Sequence, residues 1–222
     1  MISILSWLLL LSGLILRTDQ PLELLPDFGP DGLGGLSWEE KELLLTEEIV
    51  VPREPTILSD GKTIIAAAVI INQPVETVWR ILSQPERQAD YLKEIKKSRL
   101  VKEEGEEKWV YFEVDIYGFS IHYTVRHYLY PQLKSLAWEL DPEAENDLSY
   151  LLGFWRLYPW SEGKTLARYG SQVVPKFRLA RAIIQYLYRS RVKSSLLAVK
   201  KYLESIPADN LLVNSPGNCR QK

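Results

Sequence analysis

Thr63–Trp79, TIIAAAVIINQPVETVW, decides the fold. A nine-residue apolar strand passes through Asn72-Gln73 directly into a helix that opens with proline. Pro74 suits the first helical position, where its missing N–H removes nothing and its fixed φ is already helical. Glu76 falls in the positively polarised first turn. Val75, Val78, Trp79 and Leu82 recur at i, i+3, i+4 and i+7, so one face of this short helix is apolar.

Working outward toward the C-terminus, Gln84-Pro85 stops that helix, and Glu86 to Ile95 reads as a second short one with Tyr91 and Leu92 turned inward. A meander follows. Candidate strands are Lys97–Glu103, Lys108–Tyr117, Ser120–Tyr130, Ser135–Leu140, Leu148–Tyr158 and Thr165–Val174, separated by turn-forming pairs and triplets such as Gly105, Pro131-Gln132 and Asp141-Pro142. Arg178 to Glu204 is a 27-residue helical pattern with no internal Gly or Pro, ended by Pro207. At 1.5 Å per residue it spans about 40 Å, enough to cross the face of a sheet.

Outward in the other direction, Ser37 and Glu40 have capping-box spacing ahead of a short helix from Trp38 to Leu45, and Glu48 to Val51 reads as a possible edge strand. Pro21, Pro26, Gly29, Pro30, Gly32, Gly34 and Gly35 punctuate a stretch that sustains neither ladder nor helix. The chain thus divides into an apolar segment over 1–17, a linker over 18–60, one domain over 61–206 and a polar tail over 207–222. Ile2 to Leu16 carries no charge; as a helix it would extend about 22 Å, short of the ~30 Å hydrocarbon thickness of a bilayer. It reads as a secretion signal, an uncleaved anchor or an amphipathic extension, so the chain is expected to be membrane-associated or exported.

The chain is 46% hydrophobic with a net charge of −2, which gives no reason to expect a nucleic-acid partner. Charge is uneven: residues 1–60 hold 3 basic and 11 acidic side chains, whereas 61–206 hold 22 and 17. Cys219 is the single cysteine, which rules out an internal disulfide and a cysteine-based metal site.

The order of these motifs resembles the START-related helix-grip (SRPBCC) superfamily, and within it the polyketide cyclase and coenzyme Q-binding group. The resemblance rests on Pro74, Glu76 and Trp79, the phrase NDLSYLLGFWRL over Asn146–Leu157, Gly163-Lys-Thr165, Tyr169, Pro175 and the terminal helix. It implies an α+β helix-grip fold: a curved antiparallel sheet of about seven strands around a long C-terminal helix, with two short helices after the first strand. It also implies a ligand tunnel between sheet and helix.

Alternation puts Val110, Phe112, Val114 and Ile116, then Ile121, Tyr123 and Val125, then Leu136, Trp138 and Leu140 on the inner face, joined by Trp155 and Tyr169. Ligand-lining residues are therefore expected at Phe112, Val114, Ile116, Tyr123, Val125, Trp138, Trp155 and Tyr169, with Ile183 and Leu187 from the helix. Glu113 and Asp115 should face outward. His122 and His127, five apart on one strand, take opposite faces, so this pair cannot share a metal, and no metal or cofactor is expected. His127 is placed at the cavity rim. Eight basic residues between Lys176 and Lys201, with no acidic one, form a basic back on the helix, where Arg181, Arg189 and Lys193 would meet anionic headgroups.

No nucleophile elbow, phosphate loop or dinucleotide fingerprint is present. The reading is a binder or carrier of a hydrophobic small molecule (lipid, quinone or polyketide-like) at a membrane surface. The competing readings are an aromatase- or cyclase-like enzyme using Tyr123, Tyr169, Arg156 or His127, and a scaffold whose interior is filled.

Overall fold

The computed structural model describes residues 25–58, 61–116, 119–161, 163–176 and 181–207; of residues 116, 119 and 181–190 it describes the backbone alone. The apolar run Ile2–Leu16, the tail with Cys219, and the side chains of Ile116, Arg181, Ile183, Leu187 and Arg189 lie outside the described residues.

Chain order is α1 (Trp38–Leu45), β1 (Thr56–Ile57), β2 (Thr63–Ile64), β3 (Ala66–Ile71), α2 (Val75–Leu82), a 3₁₀ turn (Pro85–Asp90), β4 (Ile95–Glu104), β5 (Glu107–Ile116), β6 (Phe119–Tyr130), β7 (Ser135–Leu140), β8 (Leu148–Pro159), β9 (Thr165–Pro175) and α3 (Arg181–Glu204). Seven strands form one antiparallel sheet in the order β3-β9-β8-β7-β6-β5-β4. Successive strands from β4 to β9 are neighbours, as hairpin connections require, and β3 closes the order by pairing with β9 from Ala66↔Gly170 to Ile71↔Thr165. This is the helix-grip α+β architecture, with α3 as the helix that the sheet grips.

Local chemistry explains where elements begin and end. In α1 the Ser37 hydroxyl accepts from Glu40 N at 3.2 Å while Glu40 Oε2 accepts from Ser37 N at 2.9 Å, the reciprocal box expected from the spacing. Pro74 sits one residue earlier than expected, as the extended N-cap of α2 (φ −59°, ψ 148°), and its carbonyl accepts from Val78 N at 3.1 Å. The second short helix is confined to a 3₁₀ turn because Ser98 intervenes. Its hydroxyl donates to the Glu86 carbonyl at 2.7 Å and accepts from Ala89 N at 3.1 Å, engaging backbone groups at the helix's start. The edge strand expected at Glu48–Val51 is a single bridge, Val50↔Ala68, because Pro52 has no N–H with which to continue it.

The sheet has a core on each face. The concave core joins Ala67, Val69 and Ile71 of β3 to Val110, Phe112 and Val114 of β5, with Trp138, Trp155 and, from α3, Val192, Leu196, Val199 and Leu203. The convex core is built from Ala66, Ala68 and Ile70, Tyr128, Leu152, Phe154, Tyr158 and Leu166, and is closed by Leu25, Phe28, Leu36, Leu44 and Leu58. The punctuated segment read from sequence as a linker has the turns expected of it, yet its described part, 25–58, is packed against the sheet.

Two arginines hold that segment. Arg168 is fully buried; its Nη1 donates to the carbonyls of Gly32 at 2.6 Å and Gly34 at 3.0 Å, and its Nη2 to Ala66 at 3.1 Å. The guanidinium lies 3.8 Å from the centre of the Phe28 ring, and burial lowers its pKa to about 10. Arg156, its direct partner across the β8–β9 ladder, donates to the Pro26 carbonyl. Two like charges opposite each other repel; here both are drawn to the carbonyls of one loop. Gly32 and Gly34 make that loop possible, since a Cβ on the first would strike the Tyr158 ring and on the second the Phe28 backbone.

Candidate ligand cavity

Between the concave face and α3 lies a cavity of about 260 Å³. Of the ten residues expected to line it, Phe112, Val114, Tyr123, Val125, Trp138, Trp155 and Tyr169 do so. The side chains of Ile116, Ile183 and Leu187 are outside the described residues. The helix contributes Arg191, Ser195, Leu196 and Val199; Leu82, Gln88, Tyr91, Leu92 and Ile95 close one side, and Leu151, Ser171 and Val173 continue the wall on β8 and β9. The last three were legible in principle, because they extend the two-residue alternation of Trp155 and Tyr169 along the same strands.

Aromatic rings line much of the cavity in a continuous arc. Tyr123 stacks on Phe112 with centroids 5.5 Å apart; Phe112 stands 6.1 Å from His127, which is 6.0 Å from Trp138. Trp138 lies 6.0 Å from Tyr169, whose ring meets Trp155 at 4.6 Å. Gly153 makes room for this arc, because a Cβ there would overlap the Trp138 ring and crowd the Gly170 carbonyl.

The polar groups sort by depth. His127 is not at the rim: it is 2% exposed, deep in the aromatic arc. Burial lowers its pKa to about 3, against the pull of the Lys108 and Val125 backbone, so the ring is neutral at ordinary pH. Burial also pushes the Tyr169 phenol up to about 12 and the Tyr123 phenol higher still. The charged groups belong to the mouth. Arg191 Nη1 and Glu94 Oε1 are 3.1 Å apart, joining α3 to the start of β4. The Tyr91 and Tyr202 rings stack at 4.8 Å and pin the same segment to the helix. Asp115, expected to face solvent, is exposed but reaches the mouth, 3.8 Å from Lys96.

Other expectations resolve by strand facing. His122 is on the opposite face from His127, with Nδ1 2.7 Å from the Tyr111 hydroxyl. Arg156 cannot act in the cavity, because alternation puts it on the convex side, the reverse of Trp155. Among the described basic residues of α3, two are engaged by the fold: Arg191 guards the mouth, and Lys200 donates to the Ile70 carbonyl at 2.6 Å and pairs with Glu204 at 3.0 Å. Lys193 and Lys201 are exposed.

A curved sheet closed on a long helix over an apolar cavity defines a START-related helix-grip domain. The chain belongs to the polyketide cyclase / dehydrase and lipid transport family, whose model matches residues 62–204. Among solved structures, the chain resembles a START superfamily protein from Mycobacterium smegmatis (17% identity, 65% of this chain and 99% of that one, TM-score 0.57). It also resembles the Zhui aromatase/cyclase from a Streptomyces species (21% identity, 64% and 93%, TM-score 0.56). A STAR-related lipid transfer protein from Xanthomonas axonopodis is similar at 11% identity over 71% and 99%, with a TM-score of 0.56. At these identities the likeness is one of fold. A search of curated proteins found no match.

Proposed function

We propose that this protein binds and carries a hydrophobic small molecule, such as a lipid chain, a quinone or a polyketide-like ring, in the cavity between sheet and α3. The observation that carries this reading is the cavity itself: about 260 Å³ left open beside Phe112, Trp138, Trp155 and Tyr169, where a filled core would leave none. Apolar burial at roughly 25 cal/mol per Å² drives binding, and the rings supply contact area with few rotors. The family supports a small hydrophobic ligand.

Membrane association is the second part of the proposal. Its supports are the uncharged run Ile2–Leu16 and the cluster Arg181, Arg189 and Lys193, each such charge contributing about 1 kcal/mol near an anionic surface. Among the described residues no helix is long and apolar enough to cross a membrane. Binding is preferred to catalysis because His127, with a pKa of about 3, is a poor base at neutral pH.

Native mass spectrometry of protein purified from its own host, followed by organic extraction, tests the carrier reading. One retained species, lost on Trp155→Ala or Val114→Asp, is the expected result; an empty protein that takes up no candidate lipid or quinone would overturn it. Arg189→Glu with Lys193→Glu should weaken sedimentation with anionic vesicles at low salt, and unchanged sedimentation would remove the membrane surface from the proposal.

A further inference from the structure

His127 lines the cavity from β6, between the rings of Phe112 and Trp138. Its Nδ1 is sealed from the cavity and makes no hydrogen bond of good geometry among the described residues. Among the described residues, the groups that favour a proton on the ring are the backbones of Lys108, its partner across the β5–β6 ladder, and Val125, two residues earlier. No side chain among the described residues contributes a hydrogen bond to the ring. With Nδ1 turned to the strand, the polar atom left for the cavity is Nε2. A neutral imidazole holding its proton on the strand side presents a bare lone pair at that nitrogen.

From this placement we infer that His127 Nε2 is a hydrogen-bond acceptor for the inner end of the ligand, and that the ligand carries a hydroxyl or N–H group there. The inference rests on the carrier reading and names the chemistry of the same site. Tyr123 and Tyr169 present phenols, which can donate as well as accept, Gln88, Ser171 and Ser195 add neutral polar groups to the wall, and the charged groups Glu94, Arg191 and Asp115 stand at the mouth. The acceptor therefore lies inside an uncharged, mostly apolar wall, between two aromatic rings. A ligand that brings no donor leaves it unsatisfied, and an unmet buried acceptor weakens binding by about tenfold or more. The volume of about 260 Å³ suits one or two rings or a single short chain. A two-ring phenol is thus a better fit than its ether.

The test uses the full chain freed of bound lipid, with 1-naphthol and 1-methoxynaphthalene as matched probes, followed by quenching of tryptophan fluorescence. Wild type should bind the phenol at least about tenfold more tightly than the ether. That preference should fall within about twofold in His127→Phe and survive in part in His127→Gln, whose side-chain carbonyl still accepts. The second variant decides the matter should the first not fold. With two histidines in the chain, the ¹⁵N spectrum of wild type provides a readout free of mutation: the unprotonated Nε2 resonance of His127 should shift on adding naphthol and stay in place with the ether. Equal binding of both probes would overturn the acceptor role and leave the cavity reading standing, as would a preference retained in His127→Phe. Failure of both probes to bind would overturn the acceptor role and count against the cavity reading as well.

Discussion

The two faces of the sheet have the same alternating strands and opposite outcomes. On the convex side Phe154 is fully buried against Phe28, 5.8 Å between ring centres, and the residue-25–58 segment fills the space. On the concave side the adjacent residue, Trp155, borders open volume. The difference lies in the covering element. A loop can settle onto each side chain, whereas α3 is a stiff rod that meets the sheet through a spaced row, Val192, Leu196, Val199 and Leu203, and leaves volume beside it. Family membership adds a second contrast: the match covers 62–204, so the cavity wall is shared family architecture and the convex cover lies outside the matched region.

The sharpest way to break this comparison is to truncate neighbours on β8. Phe154→Ala should lower stability by about 3–5 kcal/mol in urea denaturation, and Trp155→Ala by about half as much, since a ring beside empty space has fewer contacts to lose. Equal losses would mean that the concave side is packed as densely as the convex one. Next in size, Arg168→Leu should remove about 3 kcal/mol by orphaning the Gly32, Gly34 and Ala66 carbonyls, and should expose the 25–35 loop to proteolysis. Resistance equal to wild type would show that the loop is held by apolar contacts alone.

A smaller effect is expected from acid. The folded pKa of His127, about 3, lies below its ordinary value of 6.5, so the unfolded chain takes up the proton first. The contribution is therefore whole above about pH 6.5 and lost as pH falls toward 3. Wild type should lose about 2 kcal/mol more than His127→Phe between pH 6 and pH 4, measured by denaturant midpoints at each pH. Parallel curves would place water around that ring and undo the dry concave wall.

The smallest effect concerns the joint between the two regions. Glu47, held in a left-handed conformation at φ 61°, pairs with Lys164 at 2.6 Å and Lys200 at 3.5 Å and accepts from Asn72 at 3.0 Å. Lys164 leads the causes that lower its pKa from 4.5 to about 2, so its contribution is present above about pH 4.5 and lost as pH falls through 2. The site is partly exposed, and Glu47→Gln should cost less than about 1 kcal/mol by the same denaturation assay. A larger loss would make this joint a main support of α3.

Much of the cavity could be read before any coordinates, because a two-residue period assigns every strand residue to a face once one residue is assigned. Phe112, Val114, Tyr123, Val125 and Trp138 were assigned to the inner face by that rule, with Trp155 and Tyr169 added to it, and the family resemblance supplied the expectation of a tunnel there. The convex cover could not. Leu25, Phe28 and Leu36 lie among or beside prolines and glycines with no regular period, and such punctuation describes the backbone without saying what the side chains touch; Leu44 lies on the short helix α1, whose pattern does not say which surface it meets. The anchoring role of Arg156, expected instead as a candidate in the cavity, and of Arg168 was illegible for a related reason: their partners are main-chain carbonyls more than a hundred residues away.

Strand facings, the helix that follows Pro74, the α1 capping box and the C-terminal end of the closing helix follow from the chain alone, since each depends on neighbours within about ten residues. Three matters belonged to the tertiary structure: the depth of His127, the pairing of Arg191 with Glu94 at the mouth, and the volume that remains open. They depend on how far α3 stands from the sheet. That distance is a sum over contacts between residues remote in sequence, and no local pattern encodes it.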